Sequence, residues 1–274
     1  MRSDRPGLGS AIERYWPELT VAVDFVLANR LRFASYIASD IMQALVMYFI
    51  WNAAAGQSSR LGGMDRTTMV TYVFVAQACR LIVAYDMESQ FAGYIRTGDV
   101  IRDLIVPQIY VWKRLWFTIG WLSTIGGVTV IPLMTIGLLF FGVTLPPLRL
   151  LPALAVSLFL AMLINYGISS LVGSLAFWTD GSVWGVSVAK QWIISFTGGA
   201  FIPLALFPKW LEVICKALPF QAGVNIPTTI YLGQVHGVGL WQLLGIQALW
   251  AAGLVFAAER FFNFSLRKMT IPGG

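Results

Sequence analysis

Charge is scarce in this 274-residue sequence: Asp, Glu, Lys and Arg make up 12% of it, about half the share carried by soluble domains. Histidine is scarcer still, with His236 alone. A histidine-ligated metal site or a Ser-His-Asp triad would have to be built around that one loop residue, so neither a metal site nor catalysis is expected. Two cysteines, Cys79 and Cys215, stand far apart with no C-x-x-C spacing and are read as buried thiols. The five lysines follow Trp112, Ala189, Pro208, Cys215 and Arg267, never a glycine. A phosphate-cradling P-loop needs Gly-Lys-Ser/Thr, so this chain is not expected to bind ATP that way. The opening MRSDRPGLGS has no apolar core with a small-residue cleavage site, and no signal peptide is expected.

Apolar residues are abundant. They form 57% of the chain and mean hydropathy is +0.72, which makes it an integral membrane protein of a single domain over residues 1–274. Six segments approach the ~20 residues that a span needs: 33–55, 67–85, 115–143, 150–178, 186–206 and 240–258. They fill a bundle over 33–258, followed by a tail at 259–274. Ahead of them, residues 10–32 place Ile12, Trp16, Leu19, Val23 and Val26 on one helical face, as in a helix lying at the membrane surface. With both termini inside, 13 Lys and Arg fall inside and five outside, with Arg80 in a span. The positive-inside rule then puts both termini in the cytoplasm of a multi-pass cell-membrane protein. The net charge of +6 reflects that membrane asymmetry and not a nucleic-acid partner.

Three features stand out. The stretch GGAFIPLALFPKWLEVICKALPFQ, residues 198–221, breaks at Pro203, Pro208 and Pro219. Irregular backbone at membrane depth must be buried in protein or line a wet cavity, so this is read as a re-entrant or interfacial element on the outer side. The stretch YIRTGDVIRDLIVP, residues 94–107, alternates apolar and charged positions and ends at Pro107, giving a short amphipathic helix that either seals the bundle or docks a partner. Asp40 and Arg80 lie some 10 Å inside the first two segments. Such charges pair or face a cavity: an Asp40–Arg80 ion pair is expected, the alternative being that Arg80 snorkels to the headgroups and Asp40 reaches water, and the sequence leaves open whether the pair exists. Gly167, Ser170 and Ser174 are spaced for close helix packing.

These features together resemble the permease subunits of type-2 ATP-binding-cassette (ABC) exporters, the bacterial six-helix branch. The run from Gly198 to Gly233, with its FPKW and LPF, is similar to the family's broken segment, YIRTGDVIRDLIVP to its coupling segment and SLAFWTDG, residues 174–181, to its fourth-span end. The resemblance implies an all-α protein of six transmembrane helices with an N-terminal interfacial helix, a cytoplasmic coupling helix and a re-entrant outer segment between the fifth and sixth spans. It implies ATPase contacts at Arg96, Gly98, Asp99 and Arg102, and an outer gate at Pro203, Phe207, Pro208, Trp210, Pro219 and Phe220. It further implies no cofactor on this chain, with ATP and Mg on separate ABC ATPase subunits, and a second permease copy or a related permease as dimer partner in the lipid.

The expected function is the non-catalytic permease of an exporter moving an amphipathic, lipid-like or drug-like cargo. The alternative is an ion-coupled carrier or channel, which would want polar groups near the bilayer midplane. The sequence leaves open the cargo, homodimer against heterodimer, and the physiological role.

Overall fold

The computed structural model describes residues 30–55, 63–83, 87–98, 110–179 and 182–266, with Pro17, Thr20, Val21, Asp24 and Ala28 besides. The described chain is 84% helical and has no strand. Its helices are α1 (Arg30–Ala55), α2 (Arg66–Val83), α3 (Met87–Thr97), α4 (Tyr110–Ile125), α5 (Ile131–Phe140), α6 (Leu151–Ser174), α7 (Trp184–Thr197), α8 (Lys209–Ala217), α9 (Asn225–Tyr231) and α10 (Val238–Leu266). A π-turn at Gly126–Val130 joins α4 to α5. Pro132 sits in the first turn of α5, where its missing N–H costs least. The irregular turn lies where the helix ladder would otherwise need that donor.

Among the described residues, three helical stretches are long and apolar enough to cross a membrane: Ile37–Ala54 within α1, Leu148–Phe177 around α6, and Val238–Leu266 as α10. The other three expected segments differ. Residues 66–83 have the length, but carry Arg66, Arg80, Gln77 and three threonines. Residues 126–140, the π-turn included, form a shorter apolar helix. α7 has 14 residues, or about 21 Å, against a hydrocarbon core of about 30 Å. The fifth segment therefore ends as a helix at Thr197, not near Leu206; it stops at Gly198–Gly199, ahead of the first proline.

α6 and α10 form the most extensive helix pair among the described residues. They meet at Gly167, where an added Cβ would lie 2.7 Å from Leu254 Cβ and 2.9 Å from its carbonyl carbon. The missing side chain is what lets the two backbones approach. α9 wedges against α2 and α6, with Ile226 and Ile230 fully buried. On the other side α1, α2 and α5 share Ala44, Phe74, Ala78 and Leu133. Tyr48 and Phe141 meet there edge-on, 4.6 Å between ring centres.

The expected interfacial helix of residues 10–32 lies largely outside the described residues. The last helix runs from Val238 to Leu266, beyond the expected end of the sixth segment at residue 258. Phe262 and Ser265 are buried, and Trp178 Nε1 donates to Ser265 Oγ at 3.3 Å. This end of α10 is bolted to the end of α6. Gly167→Val is expected to destabilise the bundle by about 1–3 kcal/mol, the usual cost of overpacking. Thermal unfolding in detergent measures it, and an unchanged midpoint would rule out the close α6–α10 approach.

Candidate transport site and coupling elements

Ending α7 early leaves a stretch of backbone with no helix to satisfy it. The carbonyls released there find side chains instead. Tyr72 Oη donates to Gly199 O at 2.8 Å, Gln77 Nε2 to Ala200 O at 3.2 Å, and Trp51 Nε1 to Phe201 O at 3.0 Å. At the next break Gln247 Nε2, on α10, donates to Ala222 O at 2.8 Å and also reaches Ser157 O at 3.2 Å. Tyr72, Gln77 and Gln247 are all buried. α1, α2 and α10 thus each contribute a donor to the broken segment.

Gln77 also links this region to the two deep charges. Arg80 Nη2 lies 3.4 Å from Asp40 Oδ1. The same guanidinium donates to Gln43 Oε1 at 2.6 Å and to Gln77 Oε1 at 2.9 Å. The structure therefore brings Asp40 and Arg80 together, inside a polar chain that runs from α1 through α2 to the backbone of Ala200. The two glutamines carry no charge and leave no mark on a charge pattern, so sequence reasoning passed over them.

The gate residues divide. Pro203, Phe207 and Pro219 are buried, Phe220 is half-buried, and Pro208 and Trp210 are exposed. α8 is turned so that Glu212 and Cys215 face in while Trp210, Val213 and Ile214 face out. Glu212 is clamped from both sides: Lys209 Nζ to Oε2 at 2.8 Å and Lys216 Nζ to Oε1 at 2.6 Å. Beneath α8 lies a cavity of about 320 Å3. Tyr72 and Leu204 line it, with Asn225 and Thr229 one turn apart on α9.

At the far end of α2 the coupling segment is not one helix from Tyr94 to Pro107. Tyr94–Thr97 are the last turn of α3, which starts at Met87. The chain turns at Gly98, whose φ of +77° is a left-handed conformation that a β-carbon disfavours and that ends helices. Arg96 is exposed there. Asp99 and Arg102 lie outside the described residues.

An ion pair that sequence reasoning missed anchors α3. Glu88 Oε1 and Lys190 Nζ of α7 are 2.5 Å apart, with side chains 1% and 6% exposed. Lys190 also donates to Ser169 Oγ of α6 at 2.9 Å. Its place within an otherwise apolar segment was the available signal, because a buried lysine demands a partner. α3 is thereby held to the same two helices, α6 and α7, that lead to the broken segment.

A family model described as ABC-2 family transporter protein matches residues 41–273. No curated protein and no solved structure matches the chain.

Two outcomes are expected. Lys190→Met leaves a carboxylate in a buried site and should cost about 3–5 kcal/mol, whereas the Glu88→Gln/Lys190→Met double variant should recover most of it; equal losses in thermal melts would contradict the pairing. The second concerns pH. Hydrogen bonds from Lys209 and then Lys216 hold the Glu212 carboxyl down at about 2, from an ordinary 4.5. A carboxyl held below its unfolded value adds stability above that value and loses it as pH falls toward the folded one. Amide protection in α8 should hold above pH 4.5 and fall between pH 4.5 and 2. Hydrogen exchange reads this, and Glu212→Gln should flatten the dependence.

Proposed function

Because the chain belongs to the ABC-2 transporter family, we propose that it lines the translocation path of an ATP-driven exporter, with hydrolysis on separate ATPase subunits. The observation that carries this reading is a family match over residues 41–273, all of the helical bundle but the start of α1. Members of the family act as transmembrane permeases, and the geometry supplies parts that such a role needs.

Two permeases, this chain twice or with a related one, would pair in the cell membrane with both termini cytoplasmic. The cytoplasmic end would then be that of α3 and Gly98. Arg96, Gly98, Asp99 and Arg102 would meet the ATPase, and closure of the ATPase dimer on ATP would push on this end. The buried Glu88–Lys190 pair would carry the push into α6 and α7. α7 leads directly to the break, where Pro203, Phe207, Pro208, Trp210, Pro219 and Phe220 would shape the outer gate. Rigid helices around an irregular, side-chain-pinned segment suit a two-state element. The aromatic-rich helices favour an amphipathic cargo.

Gentle purification from the native membrane, with identification of what remains at equal stoichiometry, tests the reading. The expected companion is a P-loop ATPase, lost when Gly98 and Asp99 are replaced. A second permease of different sequence would indicate a heterodimer. A chain that purifies alone and moves a solute in vesicles without ATP would overturn the exporter reading in favour of an ion-coupled carrier.

A further inference from the structure

We propose that the cavity beneath α8 binds an uncharged, hydroxyl-bearing group of sugar or polyol chemistry, through Tyr72, Glu212, Lys216, Asn225, Thr229 and Gln234. The proposal deepens the permease reading and rests on it for the ligand's place in transport. At about 320 Å3 the cavity reaches the range of roughly 300–1,000 Å3 that holds small molecules.

The orientation of α8 is the first argument. An amphipathic helix packed on a protein core buries its apolar side. Here Trp210, Val213 and Ile214 are 67%, 66% and 50% exposed, while Glu212 is buried. Of the polar side of α8, Glu212 is turned in and Lys216 reaches the rim at 53% exposure, so the space beneath has polar groups on its roof as well as on its α9 wall.

Charge is the second. The ionised groups in the lining are Glu212 and Lys216, and they bind each other at 2.6 Å. The other carboxylate oxygen is held by Lys209 at 2.8 Å. Within the lining this pair sums to zero; Lys209 brings the triad to +1, but its side chain is 91% exposed and lies outside the lining. A bound anion would draw Lys216 away from Glu212, and a bound cation would meet Lys216. Either ion would have to break or oppose a pair already made.

What remains is neutral hydrogen-bonding capacity of both signs. The Tyr72 hydroxyl donates to Gly199 O and that of Thr229 to Ile226 O at 2.8 Å, so both oxygens keep lone pairs to accept with. Asn225 and Gln234 carry amides that donate and accept. Ligand hydroxyls also donate and accept, and they match such a mixed set better than any ion. Met64 and Leu204 give an apolar wall for a C–H face. The group has two sources, a free polyol or the headgroup of an amphipathic molecule whose tail lies along the exposed side of α8.

The test uses the full chain in lipid nanodiscs and saturation-transfer NMR, with empty nanodiscs subtracted. The probes are methyl β-glucoside, octyl β-glucoside below its micelle concentration, choline and inorganic phosphate. Transfer to both glucosides supports the proposal with a free solute as source. Transfer to octyl β-glucoside alone supports it with a headgroup as source. Asn225→Leu and Gln234→Ala should each weaken binding about threefold to tenfold, the worth of a hydrogen bond. Gln234 is exposed, so its replacement leaves the fold intact. Silence from both glucosides, transfer to choline or phosphate instead, or signals unchanged in both variants overturns the proposal. No ATPase is needed for the measurement. Glucoside binding by a chain that purifies without an ATPase therefore leaves this site standing while the exporter reading fails.

Discussion

A peptide group released from its helix inside a membrane must find another partner, because lipid offers none. That constraint organises this protein. Breaking α7 after 14 residues frees carbonyls at Gly199, Ala200 and Phe201. Tyr72, Gln77 and Trp51 are positioned to take them up. Once those donors are fixed, α1 and α2 are fixed against the break. Gln247 does the same from α10 at Ala222. The broken segment is therefore not a loose connection between helices but the place where three of them converge.

The same economy governs the charges. Few are present, and those that are buried come with partners. Arg80 is shared among Asp40, Gln43 and Gln77, so the polar interior of α1 and α2 continues into the backbone of the break. Glu88 and Lys190 join α3 to α7, with Ser169 of α6 as a third member. A buried pair of this kind contributes little net stability over an apolar pair, yet it tolerates no loss of one member. Its effect is to make the relative placement of α3, α6 and α7 specific. A force applied at α3 has a short, rigid route to the base of the broken segment.

α8 shows how function and packing part ways. It carries Lys209, Glu212 and Lys216 close together; Glu212 is clamped inward over the 320 Å3 cavity, while Lys209 and Lys216 stay 91% and 53% exposed and Trp210 faces the surroundings. In lipid the outward apolar face is the unexceptional one, and the polar face needs protein or water. Pattern gave the two faces of α8 but not which of them looks in.

The sequence by itself determined the helical, membrane-embedded character of the chain, since so little charge and so much apolar surface leave few other solutions. It placed the break at Pro203, Pro208 and Pro219, because proline ends helices, but carried the fifth segment to Leu206, past the helix end at Thr197, because glycine weakens a helix without forbidding it. It also brought out Asp40 and Arg80, because charges are conspicuous in apolar runs. The tertiary structure alone decided which donors meet the freed carbonyls, that Lys190 is buried against Glu88, and that α10 runs on to pack Phe262 and Ser265 beside α6. Each of these joins residues far apart in the chain. Glutamine, tyrosine and tryptophan look alike in a hydropathy pattern whether they donate to a distant carbonyl or face lipid, and only the packing of the helices makes the difference.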